Sequence, residues 1–139
     1  MRRAVALAVV SLAAALSGCA HQSPAAPKST RTGVLETRVG LASYYGREFH
    51  GRTTASGARF DMNALVAAHP TYPFGTRVRV TNLVNGRSTI VRIVDRGPAA
   101  QLRADGLLID VSRKAAETLG FIQQGRTRVR VEVMAWGSR

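Results

Sequence analysis

Three stretches of this chain carry the residues able to do chemistry. The first is dense in glycine: Gly40-Leu41-Ala42-Ser43-Tyr44-Tyr45-Gly46, then Phe49-His50-Gly51-Arg52 and Thr54-Ala55-Ser56-Gly57. Glycines this close together let backbone pass near a ligand or take positive φ. The second runs from Asp61 to His69. The third is Val94-Asp95-Arg96-Gly97-Pro98, followed by Ile109-Asp110-Val111-Ser112. A carboxylate at the end of a strand projects into the groove that the sheet end forms, where it can give and take a proton. Asp95 stands at such a strand end, and Asp110 is a second aspartate just before a helix start. Each has a plain structural alternative. Asp95 can pair with Arg96 or cap the turn before Gly97-Pro98, and Asp110 can cap a following helix. Taken alone, His69 reads as a buried, hydrogen-bonded histidine, and Glu48 as a solvated loop charge. No metal or other cofactor is expected, because three dispersed histidines lack ligand spacing.

The elements that must hold these residues are mostly strands. Thr76–Thr81 and Thr127–Val133 alternate strictly between valine and polar residues, which gives a strand with one buried face. Arg87–Val94 is a third β-branched run, and Val39–Tyr45 and Leu107–Val111 are two more candidates. Asn85-Gly86 between the first and third runs predicts a hairpin, because type I′ turns need positive φ at both central residues. Arg113–Leu119 reads as a helix, with Ser112 as N-cap and Gly120 just past its end. Many short strands, turn-rich connections and one helix predict a small all-β barrel or sandwich. If Tyr44 and Tyr45 sit on a first strand, one of them faces the core and the other the surface.

The chain has 139 residues, with 20 Lys plus Arg against 8 Asp plus Glu and a formal net charge of +12. That length allows one ordinary domain. One cysteine excludes an internal disulfide framework and a four-ligand zinc site built on cysteine pairs. Arg2 and Arg3 precede an uncharged apolar run, Ala4 to Leu16, too short for a comfortable membrane span, which needs ~20 residues. The run has the length and flanks of a signal-peptide core. It ends in Leu16-Ser17-Gly18-Cys19, which resembles the lipobox of bacterial lipoproteins, with Cys19 as the acylated residue. Residues 1–18 are thus expected to be removed. Residues 19–37, with Pro24, Pro27 and the solvated His21, form a tether, residues 38–135 the barrel, and 136–139 a tail. Loss of Arg2 and Arg3 lowers the charge by two. Ala20 after the cysteine, by analogy with lipoprotein sorting, favours the periplasmic face of the outer membrane. The positive balance suits an anionic partner. An envelope location argues against nucleic acid, and Arg77, Arg79, Arg128 and Arg130 alternate as on a solvated sheet face.

The motif blocks together resemble the rare lipoprotein A family of bacterial envelope proteins. SYYG, FHGR, TASG, the Ala-Ala-His segment, Pro73-Phe74-Gly75, Asn85-Gly86, DRGP and the Asp-x-Ser helix start stand in the family's order over residues 38–134. The resemblance implies a six-stranded double-psi β-barrel with one or two short helices. It implies an endolytic lytic transglycosylase that cuts the MurNAc-GlcNAc bond of peptide-stripped peptidoglycan strands. Such an enzyme uses the C6 hydroxyl of N-acetylmuramic acid as an internal nucleophile and leaves a 1,6-anhydromuramyl end. One acid/base carboxylate then suffices, where ordinary glycosidases need two. The resemblance places Asp95 in that role, Asp110 in the polysaccharide groove, and Asp61 and His69 at further polar positions of the site. Tyr44, Tyr45, His50 and Arg96 become candidate substrate contacts. Catalytic members carry a glutamate directly after the T-A-S-G block, whereas this chain has Ala58 followed by Arg59. Two readings therefore stand side by side: an active lyase, or a non-catalytic glycan binder with a structural or division-related role.

Overall fold

The computed structural model describes residues 33–138. Cys19, His21 and the signal and most of the tether lie outside the described residues. Six strands close into a barrel: β1 (Glu36–Tyr44), β2 (Val66–Ala68), β3 (Arg77–Asn82), β4 (Ser88–Asp95), β5 (Leu107–Val111) and β6 (Thr127–Ala135). Around the barrel they run β1-β5-β2-β4-β3-β6. Two pairs, β1/β5 and β2/β4, are parallel, and the other four are antiparallel. This is the double-psi architecture.

The valine faces fill the barrel. Val78, Val80, Val91, Ile93, Ile109, Val111, Val129, Val131 and Val133 are all essentially without solvent contact. Each such side chain contributes about 1.5–3 kcal/mol of burial. Helix α2 (Arg113–Leu119) closes one side with Ala115, Ala116 and Leu119 buried. Its ends follow the sequence signals. The Ser112 hydroxyl accepts from the Ala115 N–H, and Gly120 is left-handed at φ 74°. Gly120 also leaves room for a neighbour, since a Cβ there would lie 2.8 Å from the Arg87 guanidinium.

Two elements carry little sequence signal. β2 has three residues, all buried, so it cannot show an alternation. Helix α1 (Ala100–Ala104) has no buried residue and no side-chain cap. The β3–β4 hairpin forms as expected, but not through a type I′ turn. Among the described residues positive φ is confined to glycine, so Asn85 does not take it, and the connection spans Leu83–Arg87. The Asn85 side chain is used elsewhere. Its amide donates to the Leu119 carbonyl at the end of α2, and its oxygen accepts the Arg87 N–H. The wider loop lets it reach that carbonyl.

The arginine face of β6 is not uniformly solvated either. Glu132 is buried at 2% exposure, 3.5 Å from Arg130 and 3.8 Å from Arg79. β1 begins at Glu36. Past β6, Trp136 packs edge-on to Tyr72, and the Gly137 N–H donates to the Thr76 hydroxyl.

Candidate active site

Both parallel strand pairs slip register by one residue, and an aspartate follows each slip. On β2/β4, Ala67 pairs with Ile93 but Ala68 pairs with Asp95, leaving Val94 extra. On β1/β5, Leu41 pairs with Leu107 but Ala42 pairs with Ile109, and Ser43 then faces Asp110. Bulges of this kind re-aim side chains. Val94 is sent into a small cluster with Phe60 and Val66, away from Ile93 in the main core. Ala68 pairs with Asp110 on its other side. Ser43, Asp110, Ala68 and Asp95 therefore form one row across four strands. The two aspartates are two strand spacings apart, about 10 Å at the backbone.

Asp95 ends β4 and is half-buried. Its Oδ1 accepts the N–H of Ala55 at 2.9 Å and of Arg96 at 2.8 Å. Its Oδ2 accepts the Tyr45 hydroxyl at 3.0 Å. The loop that supplies Ala55 is itself pinned, because the Ser56 N–H donates to the Val94 carbonyl and the Thr54 hydroxyl bonds the Ala58 carbonyl. Three donors from three segments thus fix the carboxylate's orientation. Tyr45 is tied in turn by its ring, 4.6 Å from Phe60 and 5.3 Å from Phe49. Burial, then the nearby Asp95 charge, push its hydroxyl far above the ordinary range, so it donates its proton and keeps it. Asp95 and Tyr45 line a cleft of about 230 Å³ together with Phe49, Phe60, Arg52, Thr53 and Thr54.

Asp110 does not line this cleft. Burial raises its pKa, against the lowering effect of the Ser43 hydroxyl that donates to it and of the Arg126 charge. Gly97 packs beside Asp110, Ala68 and the Tyr45 hydroxyl. It has φ 147°, and a Cβ there would lie 3.5 Å from Asp110 Oδ2, 3.6 Å from Ala68 Cβ and 4.0 Å from the Tyr45 hydroxyl. A side chain at 97 would meet only ordinary contacts but would be strained by that φ.

The remaining sequence candidates divide. Tyr44 turns the other way, its ring edge-on to Phe121 and its hydroxyl on the Ile122 carbonyl. His50 and Asp61 meet each other rather than Asp95. They stand 3.8 Å apart, and His50 Nδ1 accepts the Met62 N–H. His69 is joined to Asp95 only through backbone, its N–H donating to the Asp95 carbonyl. Its ring is buried and stacked on Tyr72 at 3.5 Å, and its Nδ1 accepts the N–H groups of Thr71 and Tyr72. Burial, with help from Arg38, pushes its pKa down to about 4, so it is neutral and holds its proton on Nε2. Arg96 does not pair with Asp95 through its side chain. Its guanidinium lies 3.8 Å over the Phe74 ring and donates to the Tyr72 carbonyl.

Sequence reasoning did not single out Ser43, Arg52 or Phe60 for the site. Ser43 stands two residues before Tyr45, which directly follows β1, so the strand period carried one residue further puts both on one face. Phe60 has no comparable signal. Among the described residues no three His, Cys, Asp or Glu stand together as metal ligands.

Known proteins resemble this chain in sequence and in fold. The family model described as lytic transglycolase matches residues 37–131. The endolytic peptidoglycan transglycosylase RlpA of Neisseria meningitidis serogroup A is 52% identical over 101 residues, covering 73% of this chain and 41% of that protein. The Vibrio cholerae protein of the same name is 47% identical over 98 residues, covering 70% and 36%. The chain thus spans less than half the length of these curated relatives. Among solved structures, the apo expansin of Clavibacter michiganensis superposes with a TM-score of 0.56 at 19% identity, over 75% of this chain and 53% of that one. That likeness is one of fold. With a family match across the barrel and half of the aligned residues identical, the chain belongs to the lytic transglycolase family of double-psi β-barrels that includes RlpA.

Proposed function

We propose that the chain is an endolytic peptidoglycan lytic transglycosylase acting on peptide-stripped strands, held on the periplasmic face of the outer membrane by acylated Cys19. The observation that carries the reading is Asp95: one oriented carboxylate lining an aromatic cleft. In the reaction the C6 hydroxyl of a muramic acid ring attacks its own anomeric carbon. The C1–O6 bond forms, the glycosidic C1–O bond breaks, and the O6 proton must leave as the departing oxygen gains one. No water enters, so one group placed between the two oxygens can balance both transfers. Asp95 takes that role. The Ala55 and Arg96 N–H groups and the Tyr45 hydroxyl aim it. Tyr45 and Phe49 offer faces for sugar rings, with the buried Phe60 packed against Tyr45. Asp110, kept more protonated than an ordinary carboxyl, supports the row. His69 acts as a positioning residue, and Asp61 with His50 contacts the strand beyond the cleft.

A second reading, a glycan binder without turnover, is favoured by Ala58. It sits exposed in the loop that clamps Asp95, and a methyl neither gives nor takes a proton. Arg59 beside it is engaged with the Gly51 carbonyl.

Mass spectrometry of products from peptide-stripped sacculi separates the two. Wild type is expected to release anhydromuramyl-ended fragments, and Asp95→Asn to lose roughly 10²–10⁴-fold in rate, the usual worth of a positioned acid/base. Ala58→Glu is expected to be faster than wild type. Product from Ala58→Glu but none from wild type assigns the natural chain to the binder reading.

A further inference from the structure

A second and larger cleft, about 780 Å³, opens on the other side of the Asp95–Arg96 peptide. Glu36, Arg38, Tyr72, Phe74, Arg96 and Trp136 line it. Neighbouring side chains thus diverge into two clefts, Asp95 into one and Arg96 into the other. The second is built from rigid parts. Tyr72 is stacked on His69 and donates its hydroxyl to Glu36, which also holds Arg38. Trp136 stands edge-on to Tyr72 at 5.3 Å, yet 45% of it is exposed. The next residue cannot carry a side chain, since a Cβ on Gly137 would lie 1.9 Å from the Phe74 carbonyl oxygen, and its N–H is bonded to Thr76. Trp136 is therefore held at the rim with a free aromatic surface.

Charge and hydrogen bonding say what would fit. Glu36 neutralises Arg38, which leaves Arg96 as the cleft's unbalanced cation. The Arg96 Nη1 is used by the Tyr72 and His69 carbonyls at 2.8 and 3.4 Å. Its Nε and Nη2 have no hydrogen-bond partner among the described residues. A guanidinium clamped by one nitrogen and stacked on Phe74 presents its other donors as a preset fork, which suits a carboxylate.

We infer that this cleft is a recognition subsite for a muramic acid residue bearing a free lactyl carboxylate, with the pyranose ring against Trp136 and the carboxylate on Arg96. The inference rests on the glycan reading above and extends it. A stem peptide converts that carboxylate to a neutral amide and adds bulk, so the subsite selects strands from which the peptide has been removed.

Trp136 is the single tryptophan of the chain, so its fluorescence reports on this cleft alone. The full chain is titrated with a peptide-free GlcNAc–MurNAc tetrasaccharide, with the same sugar carrying stem peptides, and with chitotetraose, which lacks the lactyl group. A saturable change is expected with the first, and binding about tenfold weaker or more with the other two, the scale of one lost charge-assisted pair. Arg96→Lys, which keeps the charge and removes the fork, should lose most of that preference in calorimetry. Equal binding of chitotetraose by wild type overturns the carboxylate assignment without needing any variant. A silent Trp136 in a chain that still sediments with sacculi overturns the cleft and leaves the glycan reading standing. A chain that neither responds nor sediments overturns both.

Discussion

His69 shows how residue type and residue role part company. Its Nδ1 accepts the N–H groups two and three residues ahead, which is the pattern an aspartate or asparagine makes when it caps a turn. The imidazole is therefore spent on backbone geometry, and its low pKa follows from burial. That pKa has a consequence for stability. The unfolded chain binds a proton at His69 near pH 6.5, and the folded chain only near pH 4. Between those values the unfolded state holds more protons, so stability falls as pH drops through the window and is fully present above it. The contribution is at most about 3 kcal/mol, at 1.36 kcal/mol per pKa unit. His69→Asn supplies an oxygen where Nδ1 stands and carries no titrating group. It is expected to keep the fold at pH 7 and to flatten the decline of urea midpoint between pH 6.5 and 4. A variant with the wild-type slope would place the titration elsewhere.

At the scale of elements, short pieces are held by side chains reaching between them. Ser112 caps α2 and also donates to the Ala64 carbonyl just ahead of β2, while the Ser112 N–H donates to the Val66 carbonyl. β2 has only three residues, so its position depends on such ties as much as on its own ladder. Ser112→Ala is expected to cost about 1–2 kcal/mol in urea unfolding, the upper range for a lost N-cap, because a second bond goes with it. The row Ser43-Asp110-Ala68-Asp95 rests on β2, so the same variant should lower turnover more than binding. A loss under 0.3 kcal/mol would mean that the hydroxyl's bonds are replaced by water.

For the whole molecule, the proposed envelope location would set the excess of arginine against an anionic wall. Most arginines on the barrel surface are exposed, and exposed charges act through screened fields. Retention on isolated sacculi is accordingly expected to fall as salt rises from 0.05 to about 0.5 M. Acylation would fix the chain at a surface, since each buried lipid CH₂ contributes ~0.8 kcal/mol and several chains act together. Cys19→Ser should move the protein from the outer-membrane fraction to the soluble periplasm on fractionation. If it stays with the membrane, some other feature anchors it.

Strands β3, β4, β5 and β6, helix α2 and the place of Asp95 at a strand end were legible because they depend on local patterns: alternation, a cap, a terminal glycine. The motif blocks carried the family. β2 and α1 were not legible, the first too short for a period and the second without a buried face. Which tyrosine faces the cleft was also undecided, since alternation says that Tyr44 and Tyr45 differ but not which is inside. Tertiary structure alone settled that, through barrel closure and two register slips that no local preference encodes. It turned Arg96 away from Asp95, buried His69 under Tyr72, and brought Trp136 back across the barrel to Tyr72, sixty-odd residues away in sequence. Sequence determines what each segment prefers; pairing between distant strands decides which atoms meet.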